Sequence, residues 1–278
     1  AFAKEVNVGQ NIDIASDGDV YNILLIGSDT RNGWYGNSDS MILASINSQT
    51  KTIYMTSFMR DLYANIPNVG IRKLNSAYAV GGGPLLVSTI ESNYRVDIDN
   101  YASVDFSSMA NIIDLVGGVD LEVSTQEAGY INMYLDEQCG LQGLNASDYY
   151  VTGGGITHLN GNQAVGFARI RYTSRGNEHS DYGRTSRQRE ILVQLMQKAR
   201  SLDATTLLAV VNNMLPLITH NIDAATLTNL IANAPYYINY DIQTDRIPYD
   251  GLYSNLGEEL VPDFEATINR LHQTIYGN

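Results

Sequence analysis

Short apolar runs closed by glycine alternate with segments of helical period along most of the chain. Tyr21-Asn22-Ile23-Leu24-Leu25-Ile26-Gly27 is a continuous apolar run ending in glycine, the pattern of a buried strand. Met41 to Ile46 and Thr52 to Phe58 read as two further strands, with the polar residues 47–51 as a hairpin-like turn between them. Residues 75–80 and 84–94 predict two helices separated by Gly81-Gly82-Gly83. Pro84 falls in a first helical turn, where its missing N–H is not needed. Asp105 is positioned to cap a helix running to Leu115 and closed by Gly117-Gly118. Residues 119–123 alternate apolar and acidic side chains, as a half-exposed strand does. Residues 129–157, rich in Tyr, Gly and Asn, read as a long surface excursion. Beyond them the pattern predicts a short helix over 160–167, an extended segment over 168–172 and a long helix over 185–200. Helices over 203–215 and 222–233, a late strand over 239–247 and a terminal helix over 264–276 follow. Strands interleaved with helices, with no internal repeat and no low-complexity linker, imply a single α/β domain over residues 21–278 with helices on both faces of a sheet. Residues 1–20 are read as a preceding N-terminal segment.

Composition narrows the classes. A chain of 278 residues, 44% apolar and 17% charged, can bury a real core and is not disordered. Seventeen basic against thirty acidic side chains leave a net charge of −13. That excludes broad nucleic-acid binding, which needs a basic face to displace counterions. A lone Cys139 excludes a disulfide framework and any multi-cysteine metal site. No apolar run approaches the roughly 18–20 residues of a membrane span. The abrupt start at Ala1-Phe2-Ala3-Lys4 reads as a soluble piece trimmed from something longer.

The candidate chemistry lies at strand ends and in an arginine cluster. Gly27-Ser28-Asp29-Thr30-Arg31 follows the first apolar run, and Ser38-Asp39-Ser40 opens the second. Open α/β sheets place ligands beyond the carboxyl ends of their strands. Two carboxylates gathered by the glycine-rich loop 32–37 suit a hard cation such as Mg²⁺. Both are equally the residue type that caps turns through local backbone N–H groups. Phe58-Met59-Arg60-Asp61 ends the third run and either reaches an arginine into a crevice or forms a local Arg60–Asp61 pair, worth little if exposed.

No Lys or Arg occurs between Arg95 and Arg169, a stretch holding ten acids. Arg169, Arg171, Arg175, Arg184, Arg187 and Arg189 then arrive together, with no lysine among them. Arginine alone favours bidentate recognition of phosphate or carboxylate; the alternative is ion pairing with the acidic stretch. An extended 168–172 puts Arg169 and Arg171 on one face, where an anion between them relieves their repulsion. A helix beginning near Thr185 puts Arg184, Arg187 and Gln188 on one face and turns Arg189 away. Arginines in a first turn oppose the helix dipole, so an anion held at that N-terminus accounts for them better than local stability does. No phosphate loop with its lysine and no nucleophile elbow is present. His158, His179, His220 and His272 lack metal-ligand spacing, and Cys139 sits in acidic surroundings that disfavour a thiolate.

Taken in order, these motifs resemble the LytR-CpsA-Psr family of bacterial cell-envelope proteins. The resemblance is carried by Asn22 to Arg31, Ser38-Asp39-Ser40-Met41, Phe58-Met59-Arg60-Asp61, Lys73-Leu74-Asn75-Ser76-Ala77-Tyr78 and Gly117-Gly118-Val119. It continues through Leu159-Asn160-Gly161-Asn162-Gln163-Ala164, Arg169-Ile170-Arg171 and Asp181 to Gln188, and so spans residues 20–200. Residues 201–278 carry no matching motif and read as a helical C-terminal part. The resemblance implies a single α/β-α domain, with a central mixed sheet, helices on both faces and an apolar tunnel for a prenyl chain. Helices bearing Leu85, Leu86, Ile90, Met109, Ile112 and Ile113 are candidate walls.

It also implies an enzyme, a Mg²⁺-dependent phosphotransferase. Such an enzyme moves a glycopolymer (teichoic acid, capsule or another wall polysaccharide) from a polyprenyl-pyrophosphate carrier to peptidoglycan, leaving a phosphodiester link. The soluble domain would stand on the extracellular face of the cell membrane, held by an N-terminal anchor, with no nucleic-acid partner. Carried over by position, Asp29 and Asp39 would hold the metal. Arg60, Arg169, Arg171, Arg184 and Arg187 would clamp the pyrophosphate, with Gln188 as a polar helper and Lys73 and Arg31 as further candidates. Asp29, Arg60, Arg169 and Arg171 would serve catalysis. Two features depart from the family pattern, a short loop between Asp29 and Asp39 and an arginine at position 189. The same anion site without turnover would make a binding protein for polyprenyl phosphates or wall polymer, and water in place of the sugar hydroxyl would make a pyrophosphatase.

Overall fold

The computed structural model describes residues 14–29, 36–143, 145–175 and 180–277. Arg31, His179 and most of the glycine-rich 32–37 segment lie outside the described residues. The chain divides into two units, residues 1–105 with 219–278 and residues 106–218.

The first unit begins with β1 (Val20–Ser28), β2 (Ser38–Asn47), β3 (Thr52–Phe58), β4 (Tyr63–Ile66), β5 (Gly70–Lys73), α1 (Ser76–Tyr94) and β6 (Asn100–Asp105). The second holds α2 (Phe106–Leu115), β7 (Val119–Val123), α3 (Thr125–Gln142), β8 (Gly155–Leu159), α4 (Gly161–Ala168), α5 (Ser180–Arg200) and α6 (Ala204–Met214). The chain then returns to the first unit as β9 (Thr219–His220), α7 (Ala224–Tyr237), β10 (Asp241–Ile247), β11 (Tyr253–Leu256), β12 (Glu259–Pro262) and α8 (Phe264–Tyr276).

The expected mixed sheet is the frame of the first unit. Its order is β10-β3-β2-β1-β6-β9, with β10–β3 and β1–β6 parallel and the other neighbours antiparallel. The hairpin read between the second and third apolar runs is present, and Asn47 accepts at Oδ1 from the N–H groups of Gln49 and Thr50 to close it. In β1 every second residue is fully buried and the intervening ones are half-buried. On the buried face Asn22 donates to the Tyr276 hydroxyl of α8, and Asn47 of β2 donates to the Ile275 carbonyl. The two helices read on either side of Gly81-Gly82-Gly83 are one helix with a kink, since Gly81 and Gly82 alone leave helical geometry. Leu86 and Ile90 are fully buried in it.

In the second unit α2, α3, α4 and α5 share with the β7–β8 hairpin a core that includes Ile113, Leu121, Ile131, Leu135, Phe167 and Ile191. Here the structure corrects two readings. Residues 129–157 are not a long excursion: α3 runs through their first half. Its buried stripe is Ala128, Ile131, Leu135 and Cys139, spaced three and four apart. Its start is a capping box in which Ser124 and Glu127 satisfy each other's backbone N–H groups. Residues 168–172 are not a strand either. Asn160 and Gln163 form a second capping box that opens α4, and Arg169 ends that helix as its C-cap.

Candidate functional site

In the first unit a line of charged groups gathers where β1 and β3 end and β2 begins. Gly27 pairs with Ser40 and Ser28 with Ser38, so Asp39 is the extra residue of a β-bulge. A bulge bends its strand and re-aims the side chain it carries. Asp29 follows β1 directly, and its N–H donates to the Asn37 carbonyl at 3.4 Å. Arg60 lies just past β3. Its Nη1 is 3.3 Å from Asp39 Oδ1 and its Nε is 3.5 Å from Asp61 Oδ2. Lys73 Nζ stands 3.1 Å from Asp61 Oδ1 and 3.0 Å from Glu258 Oε2. These two carboxylates raise the Lys73 pKa, Glu258 most.

The turn that carries Arg60 and Asp61 is braced by backbone bonds from distant segments. Asn75 N–H donates to Arg60 O, Leu260 N–H to Asp61 O, and Met59 N–H to Ile247 O. Asp39, Arg60, Asp61 and Lys73 are thus brought into one ion-paired chain. Glu258 was absent from the sequence reading. It arrives on the β11–β12 hairpin, about 185 residues away from Lys73 in sequence, and no local pattern announces it.

The arginine cluster of the second unit separates into three kinds. Arg169 lies between two rings, its guanidinium carbon 4.7 Å from the centroids of both Phe106 and Tyr134, a cation–π sandwich. Arg171 and Arg184 converge on Asp181: Arg171 Nε is 3.5 Å and Arg184 Nη2 3.4 Å from the same oxygen, Oδ1. Arg184 is buried, whereas Arg171 remains 35% exposed at its side chain. Arg187, expected among the phosphate clamp, is fully buried. It donates to Glu127 Oε1 and to the carbonyls of Ile170, Thr173 and Ser174. These protein acceptors take four of its five N–H groups.

Arg175 joins the same network, bonded to Glu190 and to the Glu122 carbonyl. Ion pairing with the acidic stretch therefore accounts for Arg187 and Arg175. Gln188 is half-buried on α5, and Arg189, expected to turn away, is buried.

The helix carrying these residues also begins earlier than its pattern predicts. It starts at Ser180, which puts Asp181 in the first turn and Arg184 in the second. An acid at that position complements the dipole, so the argument from arginines opposing it does not apply. Asp181, Glu127, Phe106 and Tyr134 are the side chains that sequence reasoning left without a role. Only Glu127 had a legible signal, the Ser124-x-x-Glu127 capping box.

The comparisons with known proteins bear on the family and the fold. The family model described as LytR_cpsA_psr family matches residues 2–270. A curated relative is the polyisoprenyl-teichoic acid–peptidoglycan teichoic acid transferase TagU of Oceanobacillus iheyensis. It is 36% identical over 210 residues, which are 73% of this chain and 57% of the relative. Among solved structures, TagT of B. subtilis bound to LIIa-WTA superposes with a TM-score of 0.71 at 22% identity, covering 94% of this chain and 92% of that one. YwtF (TagT) with bound octaprenyl pyrophosphate lipid gives 0.66 at 21%, covering 94% and 92%. These structures show the likeness of fold. The chain belongs to the LytR-CpsA-Psr family. It spans about half the length of the curated relatives it matches.

Proposed function

We propose that this protein transfers a glycopolymer from a polyprenyl-pyrophosphate carrier to peptidoglycan. The observation that carries the reading is the convergence of Arg171 and Arg184 on one oxygen of Asp181. Two guanidiniums aimed at a single acidic oxygen make a grip that a pyrophosphate fills with more charge and more acceptors. Kinship with TagU, and a fold shared with a protein seen holding octaprenyl pyrophosphate, support the choice of substrate.

In the proposed reaction a sugar hydroxyl oxygen bonds to the phosphorus that bears the glycopolymer. The bond from that phosphorus to the bridging oxygen breaks with its electron pair going to the departing polyprenyl phosphate, and the hydroxyl proton passes to water. Such transfer asks a protein for alignment and charge neutralisation more than for covalent help. Arg171 and Arg184 hold the charge that builds on the phosphoryl oxygens, and Arg169, fixed by its two rings, adds a third cation.

Asp29 at the end of β1 and Asp39 in the β2 bulge are the carboxylates we assign to magnesium, which is held by one or two carboxylates with water and substrate phosphates. Asp29 and Asp39 would hold it. Once bound, it would neutralise phosphate charge and favour departure of the leaving phosphate. A lipid-linked substrate keeps the reaction at a membrane surface, and a peptidoglycan acceptor puts it on the outer face. Among the described residues no helix is long and apolar enough to cross a membrane.

The test is transfer from a lipid-linked glycan to peptidoglycan, with magnesium present and with it chelated. Arg171→Ala and Arg184→Ala are each expected to lower the rate about 100-fold or more, as loss of a preorganised charge-stabilising donor does. Transfer at the wild-type rate in both variants overturns the reading, and transfer unaffected by chelation overturns the metal assignment.

A further inference from the structure

We infer that Glu127, acting through Arg187, is a positioning residue that sets the direction of Arg171. The inference rests on the proposed pyrophosphate grip and adds to it a residue that no motif contains. Glu127 and Arg187 are both buried, at 2% and 0% of their surface. Glu127 is rigidly held, since its Oε2 accepts from the Ser124 N–H and hydroxyl at 2.9 Å each. Its Oε1 accepts from Arg187 Nε at 2.9 Å.

Three further donors of Arg187 go to one short segment of backbone. Nη1 reaches the Ile170 carbonyl at 3.2 Å, and Nη2 reaches the Thr173 and Ser174 carbonyls at 3.1 Å each. Arg171 lies between those points, so one guanidinium pins the chain on both sides of it. Arg175 closes the far end of the segment, bonded to Glu190 Oε1 at 2.9 Å and 3.4 Å from Glu127 Oε2. No helix or strand spans 170–174, so these side-chain bonds supply the order that a ladder would otherwise give. A buried ion pair adds little stability over apolar residues of the same volume. Orienting Arg171 gives the network a reason to be charged.

Two variants, Glu127→Gln and Arg187→Lys, test this. The lysine keeps the charge but cannot reach three carbonyls and Glu127 together. Amide hydrogen exchange is measured without ligand, and binding of inorganic pyrophosphate is measured with and without Arg171→Ala. In each folded variant, exchange is expected to quicken over 170–175 with the interior of α3 unchanged. Pyrophosphate affinity should fall about tenfold, and that loss should vanish in the Arg171→Ala background, the mark of coupled rather than independent sites.

Unchanged exchange over 170–175 overturns the inference. So does an affinity loss that persists in full without Arg171, because Arg187 would then be acting on the phosphate itself. Wild-type protein that binds no pyrophosphate counts against the proposed function, and the exchange measurement still decides whether Glu127 positions the segment. If Glu127→Gln fails to fold, Arg187→Lys carries the same two measurements.

Discussion

Burial separates Arg187 from Arg171 in the arginine cluster. Arg187 is sealed from solvent and filled with acceptors, whereas Arg171, sixteen positions earlier, keeps a third of its side chain exposed. Glu127 shows the same logic from the acid side. Burial pushes its carboxyl pKa up, but hydrogen bonds from Ser124 and Arg187 outweigh that, and the net effect holds it below the ordinary value of 4.5. The unfolded chain therefore takes up this proton first. The pair's contribution is complete above about pH 4.5 and is lost as pH falls through the lowered native value. Glu127→Gln is expected to cost about 3 to 5 kcal/mol at pH 7, the range for breaking a buried pair from one side. In urea titrations from pH 7 to pH 3 the gap between wild type and variant should narrow below pH 4.5. A gap that stays constant would show that folding leaves the Glu127 carboxyl at its ordinary pKa.

Helix boundaries positioned the chemistry more than strand pattern did. The first three strands were legible because each is a continuous apolar run with a polar break, a signal set by burial and independent of partners. α3 was hidden because Tyr, Gly and Asn are frequent along it, while only two large aliphatic residues, Ile131 and Leu135, stand in its buried stripe. The start of α5 was misplaced because its first turn holds Asp181, Tyr182 and Gly183, none of which marks a helix by type. At the junction of α2 and α4 a single glycine permits the packing. A Cβ on Gly161 would stand 2.0 Å from the Ala110 carbonyl oxygen, and the Gly161 N–H donates to Asp114 Oδ1 at 2.7 Å. Backbone cannot yield as a flexible side chain can. Gly161→Ala is expected to destabilise the protein by about 1–3 kcal/mol, the usual cost of overpacking. A thermal midpoint equal to that of wild type would show that the two helices separate without penalty.

At the scale of the whole molecule, charge limits the partners. With a net charge of −13 the chain repels polyanions except where arginines are concentrated. Fluorescence anisotropy with a labelled duplex at 0.1 M salt is therefore expected to show no binding at micromolar protein. Saturable, salt-sensitive binding there would revive a role on DNA. Composition and the spacing of apolar runs were enough to establish the α/β class, the central strands and the terminal helix, because burial and backbone geometry act locally and leave a periodic trace. The ordered motifs likewise named Asp39, Arg60, Arg171 and Arg184 before any coordinates. Which charges meet was decided by tertiary structure alone. Glu127 and Arg187 are 60 residues apart and Lys73 and Glu258 185 apart, and an ion pair between distant segments leaves no periodicity to read. The same holds for the ring pair around Arg169, and for the bulge that makes Asp39 the extra residue of its strand, since register belongs to two strands at once.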